Sequence, residues 1–566
     1  MMQSNRYRCY LASYNLWPYE LQLAEAALKE VVKECTFQGS QAVVTTEECD
    51  LILEKLRRLA FFQSFEELDN NGEGTEEPTQ QFLLEHSTSQ VRTKNGQQQV
   101  LVERIIPSGS LIRRKESNYA THGLHPYKGK FYPQLVRAII NLGNIDPPAT
   151  ILDPFMGSGT AVLESKLMGY DAIGIDLNPL AYLIADAKLS TIGLDAQLME
   201  SLIVEFWNKL SLSAHRWGLD LCQIADGDAE PKGNPDFNAS MLVDRSSGLV
   251  QPNELTRWFP PAVLHKYAFL LSNIDTISDE VFRRFCLVCL SSTVRTCSQQ
   301  DPRDLRIRRR KNIIIDAPVL SMFFSKLRFE TAKLEAFYDL RDQKRWLLGN
   351  HICFVGDARN LAKLGDYRLV ETERVDMVIT SPPYATALPY IDTDRLSLLL
   401  LGFGNTSEIR WLDRSLVGSR EFTFSEYRSF IDQLMCDDGQ KLPSELIEFL
   451  RYLHRENQPT GVGFRRRNLP ALLYRYFLDM RQALKEIYRV LRPKGQCYLV
   501  IGDNRTTLGT GQSIRIQTGH YLQGIARDIG FEIEKGIPIT VTLEDRVHVK
   551  NAIKENLVLR FRKPRV

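Results

Sequence analysis

Residues 149–178 read ATILDPFMGSGTAVLESKLMGYDAIGIDLN. ATILDPF has the character of an apolar strand, GTAVLESKLMG of a helix closed by Gly169, and YDAIGIDLN of a second strand. A strand–helix–strand unit of this length implies parallel pairing, and so an α/β sheet. The turn Asp153-Pro154-Phe155-Met156-Gly157-Ser158-Gly159-Thr160 lies between the first strand and the helix. Its two glycines permit a sharp bend and let a ligand approach bare backbone. Asp176 closes the second strand, and an acid ~20 residues beyond such a turn typically binds ribose hydroxyls. A dinucleotide site would want a third glycine. Here an acid precedes the turn instead, so the expected ligand carries an amine as well as a ribose.

The same alternation resumes at 350 with HICFVGDARN and VDMVITSPPY. The long helix LLYRYFLDMRQALKEIYRVL follows, then the strand GQCYLVIGDN and two strand-like runs, FEIEKGIPITV and NLVLRFRK. One Rossmann-like sheet, split by a long insertion, accounts for this order. The expected division is a helical or mixed module at 1–110, a cofactor-binding half at 120–195, and a mostly helical insertion at 196–345. A catalytic half at 346–566 would contain its own helical, Arg-rich insertion at 405–470. Within the first module, helical spacing marks Leu21 to Val32, and Thr46 is expected to cap a second helix running to Ala60. The acidic run 66–80 reads as a surface loop and 220–256 as a linker.

A chain of 566 residues exceeds the ~250–300 that one core supports, so more than one domain is expected. The 43% hydrophobic and 25% charged content exclude a disordered, collagen-like or coiled-coil chain. No apolar run approaches the ~20 residues of a membrane span, and the N-terminus lacks the pattern of a signal peptide. Ten cysteines in a chain this long make no disulfide scaffold, which fits a reducing, cytoplasmic setting. Cys286 and Cys289 fall in an apolar run and read as core residues, and no metal ligand set is expected. Net charge is only +2, so a nucleic-acid partner requires local basic patches. RDLRIRRRKN supplies Arg303, Arg306, Arg308, Arg309 and Arg310, and GFRRRN supplies Arg465, Arg466 and Arg467. Both are candidates for phosphate or guanine contacts.

In Val375–Tyr384 a buried strand ends abruptly at Ser381-Pro382-Pro383-Tyr384. Proline cannot continue a central ladder, so the chain turns at the strand's carboxyl end, the edge that hosts ligands in open α/β sheets. The prolines stiffen the turn and remove N–H donors, leaving it rich in acceptors. Ser381 adds a hydroxyl and Tyr384 an aromatic face. This set suits methylation of an exocyclic amine on a nucleobase. Two acceptors, Ser381 Oγ and the Pro382 carbonyl, would draw the amine towards tetrahedral geometry while Tyr384 stacks on the ring.

DPFMGSGT resembles the S-adenosylmethionine-binding motif of amino-group DNA methyltransferases, GIDLNP their second motif, and Ser-Pro-Pro-Tyr their catalytic motif. HGLHPYKGKFYPQL resembles the segment that precedes the first motif and closes over the methionine end of the cofactor. The resemblance implies a class I methyltransferase sheet. It implies cofactor contacts from Asp153, Phe155, Gly157, Gly159 and Thr160, with Asp176 on the ribose. Lys128, Lys130 and Tyr132 are candidates in the upstream segment, and Asp357 in GDARN would contact adenine. Ser at the first catalytic position implies cytosine N4, with adenine N6 as the alternative. The substrate would be double-stranded DNA with its target base flipped out. The 196–345 insertion would recognise the target, and a restriction or defence-system partner would fit the family. The N-terminal residues look faintly like the front module of tRNA guanine-N2 methyltransferases. Those enzymes usually carry Asp-Pro-Pro-Tyr, so Ser381 counts against that reading. A catalytically silent nucleic-acid-binding subunit is a third reading, opposed by the intact motifs.

Overall fold

The computed structural model describes residues 5–32, 34–46, 50–69, 71–94, 104–105, 111–112, 116–221, 231–239, 252–304, 307–362, 371–385, 390–458, 462–540 and 555–565. The chain opens with β1 (Asn5–Leu11), β2 (Glu34–Gln38), β3 (Gln41–Thr46), β4 (Phe62–Leu68) and β5 (Glu76–Pro78). They form an antiparallel sheet in the order β2-β3-β1-β4-β5. A short hairpin, β6 (Arg104–Ile105) and β7 (Leu111–Ile112), follows.

The main sheet takes β8 (Thr150–Asp153) and β9 (Asp171–Asp176) from the first half of the chain. From the second half come β10 (His351–Val355), β11 (Val375–Thr380), β12 (Leu491–Gly502), β15 (Glu532–Thr540) and β16 (Glu555–Arg562). The hairpin β13 (Asn504–Thr507) and β14 (Ser513–Ile516) stands apart from it. The order is β10-β9-β8-β11-β12-β16-β15. The first five strands are parallel, and β16 runs antiparallel to both its neighbours. This is a mixed α/β architecture with a largely parallel sheet and helical insertions. The order reverses between β8 and β11, and that switch point is where such sheets open a crevice at the strands' carboxyl ends.

Both faces of the sheet are covered, so its strands are apolar on both sides. On β12, Tyr498 and Val500 join one core while Cys497, Leu499 and Ile501 join the other. Met377 and Ile379 of β11 lie with Tyr498 and Val500, and Val378 lies opposite. The helix Leu469–Val490 packs on one face through Leu473, Phe477, Met480, Leu484 and Ile487, a stripe at helical spacing. The other face is covered by the helix Pro133–Gly143 and by the N-terminal helix Pro18–Val31, through Leu23, Ala24, Ala27 and Leu28. The N-terminal module therefore shares a core with the main sheet. The first insertion packs its helices Ala196–Ala214, Pro261–Ile274, Glu280–Val294 and Val319–Gln343 into a single core that reaches the helix Pro179–Thr191. Among the described residues no helix is long and apolar enough to cross a membrane.

Of the two forms expected for the first module, helical or mixed, the structure has the mixed one, with β1 and β3 alternating buried and more exposed side chains. Two sequence expectations change. The run 66–80 is not simply a surface loop, since β4 continues to Leu68 and β5 pairs with it. Its acids have partners: Glu66 accepts from Arg8 and Tyr10, and Glu77 pairs with Arg57 at 2.7 Å. Thr46 ends β3 instead of capping a helix, and the helix there spans Asp50–Arg57. Most of the 220–256 linker lies outside the described residues.

Candidate active site

β8 and β11 run side by side, with Met377 opposite Ile151 and Val378 opposite Leu152. Their ends bring the glycine turn and the Ser-Pro-Pro-Tyr turn to one edge. Thr380 Oγ1 donates to Asp153 Oδ1 at 2.7 Å in a buried setting, and the same oxygen accepts from the Phe155 N–H at 3.1 Å. Asp153 is 2% exposed. Its carboxylate closes the turn and ties it to the neighbouring strand. Burial pushes this carboxyl up to about 7, opposed by the two hydrogen bonds and reinforced by Asp176.

Gly157 and Gly159 have φ of +49° and +75°, the left-handed region that side chains disfavour. A Cβ on Gly159 would fall 2.7 Å from the Ala185 Cβ on the helix Pro179–Thr191. A Cβ on Gly157 would fall 3.0 Å from the Tyr127 ring. Asp176 accepts from the Gly157 N–H at 2.9 Å and the Asn178 N–H at 2.8 Å, and burial lifts its carboxyl to about 6. The hydroxyls of Ser158 and Thr160 are buried with no hydrogen-bond partner among the described residues. Phe155 packs against the core under the turn. Left-handed glycines, a half-buried acid and two spare hydroxyls make a cradle that fits a ribose and a short polar chain.

The upstream segment contributes differently from expectation. Tyr132 precedes Pro133 at the start of a helix and faces Tyr14, Tyr19, Glu20 and Glu85, towards the N-terminal module. Tyr127 is the tyrosine at the glycine turn, with Asp176, Asp394 and Asn178 around its hydroxyl. Lys130 Nζ donates to the His122 carbonyl at 2.9 Å and holds the segment's own backbone. Lys128 is half-buried beside Arg295. Asp357 follows β10 at the same edge, where the Gly356 N–H reaches the Asp176 carbonyl at 2.9 Å. Its carboxylate pairs with Arg359 at 2.7 Å.

Four contacts hold the second turn. Ser381 Oγ donates to the Val500 carbonyl at 3.2 Å. The Tyr384 N–H donates to the Tyr390 hydroxyl at 3.3 Å, and the Tyr384 hydroxyl to Asn556 Oδ1 at 3.4 Å. Asn504 Nδ2 donates to the Ala385 carbonyl. Pro382 is buried and Pro383 and Tyr384 are half-buried. A serine whose proton is directed to a carbonyl presents its remaining lone pairs as an acceptor. Tyr127, Tyr390, Asn504 and Asn556 were missed in the sequence. Asn504 had a signal, since it follows a strand that ends at this same edge.

Of the basic candidates, Arg306 lies outside the described residues. Arg309 lies 5.4 Å over the Trp258 ring and donates to the Arg257 carbonyl, and Arg310 donates to the Gln300 and Thr296 carbonyls, so both brace their own loop. Arg303 is exposed, and Arg308 is exposed while pairing with Asp304. Arg465, Arg466 and Arg467 are all exposed on the short helix Phe464–Arg467.

A family model described as DNA methylase, N6_N4_Mtase, matches residues 60–186. The Type II methyltransferase M.MjaII of Methanocaldococcus jannaschii is 25% identical over 416 residues, covering 60% of this chain and 76% of the relative. M.MvaI of Kocuria varians is 23% identical over 406 residues, covering 68% and 77%. A tRNA (guanine(10)-N2)-dimethyltransferase of Methanothermobacter thermautotrophicus is 34% identical, but over only 71 residues, 12% of this chain and 21% of that one. The family match over residues 60–186 and the extended similarity to Type II methyltransferases make the chain similar to the amino-group DNA methyltransferases, a likeness that supports S-adenosylmethionine as methyl donor.

Proposed function

We propose that the protein methylates an exocyclic amine, cytosine N4, at specific sites in double-stranded DNA. The observation that carries this reading is the Thr380–Asp153 hydrogen bond, which joins a cofactor-type turn to an acceptor-rich turn at one sheet edge. S-Adenosylmethionine would supply an electrophilic methyl group there. Asp176 and the backbone of Gly157 and Gly159 would hold the donor, with Phe155, Thr160, Tyr127 and Asp357 bordering it. Ser381 Oγ and the Pro382 carbonyl would accept from the amine's N–H groups, concentrating its lone pair on nitrogen. Tyr384 would stack on the flipped base, and its anchors at Tyr390 and Asn556 would fix the ring's tilt. As the N–CH3 bond forms, the S–CH3 bond of the donor would break to leave S-adenosylhomocysteine, and the amine's surplus proton would pass to solvent water on the Ser381 side of the turn. Asp153 would act as a positioning residue. Arg303, Arg308 and Arg465–467 would contact DNA phosphates, and the 196–345 insertion would read the target sequence. The Type II names of the relatives are consistent with a restriction partner.

Labelled S-adenosylmethionine incubated with duplex DNA or with tRNA tests this reading. Label is expected in DNA, and nucleoside mass spectrometry is expected to give N4-methylcytosine. N6-methyladenine would replace the proposed base while keeping the chemistry. Label in tRNA alone would overturn the DNA substrate, and label in neither would point to a silent subunit.

The glycine turn yields its own prediction. Gly159→Ala places a methyl group on Ala185 and forces a left-handed residue, with an expected cost of about 1–3 kcal/mol. Thermal unfolding with and without S-adenosylmethionine should show a lower midpoint and a smaller ligand-induced rise. An unchanged rise would remove Gly159 from the cofactor site.

A further inference from the structure

We propose that the 405–470 insertion carries a stacking platform for unstacked nucleotides of the DNA strand beside the flipped base. This inference rests on the DNA reading above and adds residues that the reading does not use. Three large aromatic side chains stand out into solvent here: Trp411 is 67% exposed, Phe424 72% and Phe464 57%. Loose packing does not explain them, because Tyr427 in the same insertion is 6% exposed.

Contacts join the elements that carry these aromatics and their basic neighbours. Phe424 lies one helical turn before Tyr427, and Phe464 meets the Tyr427 ring edge-on at 5.6 Å. Arg414, one turn after Trp411, pairs with Glu426 at 2.8 Å and joins the two helices. Arg465 and Arg466 adjoin Phe464, and Arg428 lies one turn beyond Phe424; all three are exposed, with no ion pair among the described residues. Arg475 lies 4.3 Å over the Phe422 ring and donates to the Arg414 carbonyl at 2.7 Å, fastening the insertion to the helix Leu469–Val490. Gly418, in the same insertion, sits so near the catalytic turn that a Cβ would fall 3.0 Å from the Tyr384 carbonyl.

Exposed rings between unpaired arginines match the chemistry of single-stranded nucleic acid, in which every base offers a π-face and every linkage a negative charge. Flipping a base also unstacks its neighbours, which supplies such nucleotides next to Tyr384. An apolar protein partner would leave the arginines without counter-charges.

The test measures binding of the full-length protein to a labelled single-stranded oligonucleotide and to a duplex, by anisotropy across a salt series. Replacing Trp411, Phe424 and Phe464 together by alanine is expected to weaken single-strand binding by about 10²-fold or more, with an unchanged slope of affinity against salt. Replacing Arg465 and Arg466 by glutamine is expected to lower that slope by about 1.4. Should the triple variant lose its cooperative melt, Trp411→Ala alone carries the test, with an expected loss of about ten-fold. Wild-type affinity in the aromatic variants overturns the platform, as does a loss that appears only as a changed salt slope. If the wild-type protein methylates duplex DNA while the variants bind normally, this inference alone fails. If the wild-type protein neither binds nor methylates DNA, the underlying reading fails.

Discussion

Tyr384→Ala should cut the turnover of duplex DNA by about 10³-fold while leaving S-adenosylmethionine affinity nearly unchanged. Two losses combine. Base stacking on an aromatic ring is worth about 1–3 kcal/mol. A base that sits loosely also loses its alignment, and misplacement of about 1 Å costs roughly 10²-fold. Cofactor affinity should survive because Gly157, Gly159 and Asp176 hang on β8 and β9, whereas Tyr384 hangs on β11. Tyr384→Phe keeps the ring and gives up only the 3.4 Å bond to Asn556, so its loss should stay within about ten-fold. Ser381→Ala removes one positioned acceptor and should cost about 10²–10³-fold in kcat, by analogy with the loss of one oriented dipole at a reacting centre. Single-turnover rates and equilibrium binding of the donor separate these outcomes. Equal loss of turnover and donor affinity in Tyr384→Ala would place the base pocket elsewhere.

The strand–helix–strand unit around DPFMGSGT was legible because its glycines, its apolar runs and Asp176 all act locally. Ser-Pro-Pro-Tyr was legible for the same reason, since paired prolines after an apolar strand have few other uses. The meeting of the two turns rests on strand order, which the separate motifs do not encode, and Thr380 gave no sign that its hydroxyl faces Asp153. Tyr127 and Tyr132 illustrate the limit. Both flank the Gly-Lys-Phe run, yet Pro133 already marked Tyr132 as a helix cap, because proline favours the first helical turn. The N-terminal sheet was obscured by short strands with charged exposed faces, whose acids are matched by arginines distant in the chain. The arginine clusters divide for a related reason. Guanidinium groups also brace backbone carbonyls, as Arg309 and Arg310 do, and composition does not separate that use from phosphate contact.

Glu164→Ala should destabilise the fold by about 3–5 kcal/mol, more than any surface change in the molecule. Its carboxylate is fully buried behind the glycine turn. Tyr119 donates to it at 2.7 Å, His122 Nε2 lies at 2.6 Å, and Arg137 Nε and Nη2 reach it at 2.9 Å and 2.8 Å. Arg137 also donates to Gln80, and Gln80 to the Leu167 carbonyl. One carboxylate thus joins the N-terminal module, the upstream segment and both helices that flank the turn. Removing it strands a buried guanidinium, so replacing Glu164 and Arg137 together by leucine should cost less than the single alanine. The same cluster sets an acid limit. Burial pushes His122 and His125 down to about 3, from an ordinary 6.5, so between those values the unfolded chain binds more protons. Their contribution is complete above about pH 6.5 and drains as pH falls towards 3. Burial would raise the Glu164 carboxyl, but Arg137, His122 and Tyr119 hold it below the usual range, which adds a further loss at the acid end. The raised Asp153 and Asp176 carboxyls bind protons in the folded chain over the same range and oppose this loss, so the test is differential: between pH 7 and pH 5 the urea midpoint of His122→Asn should gain on that of the wild type. A midpoint difference that does not change with pH would mean that His122 is protonated in the folded chain.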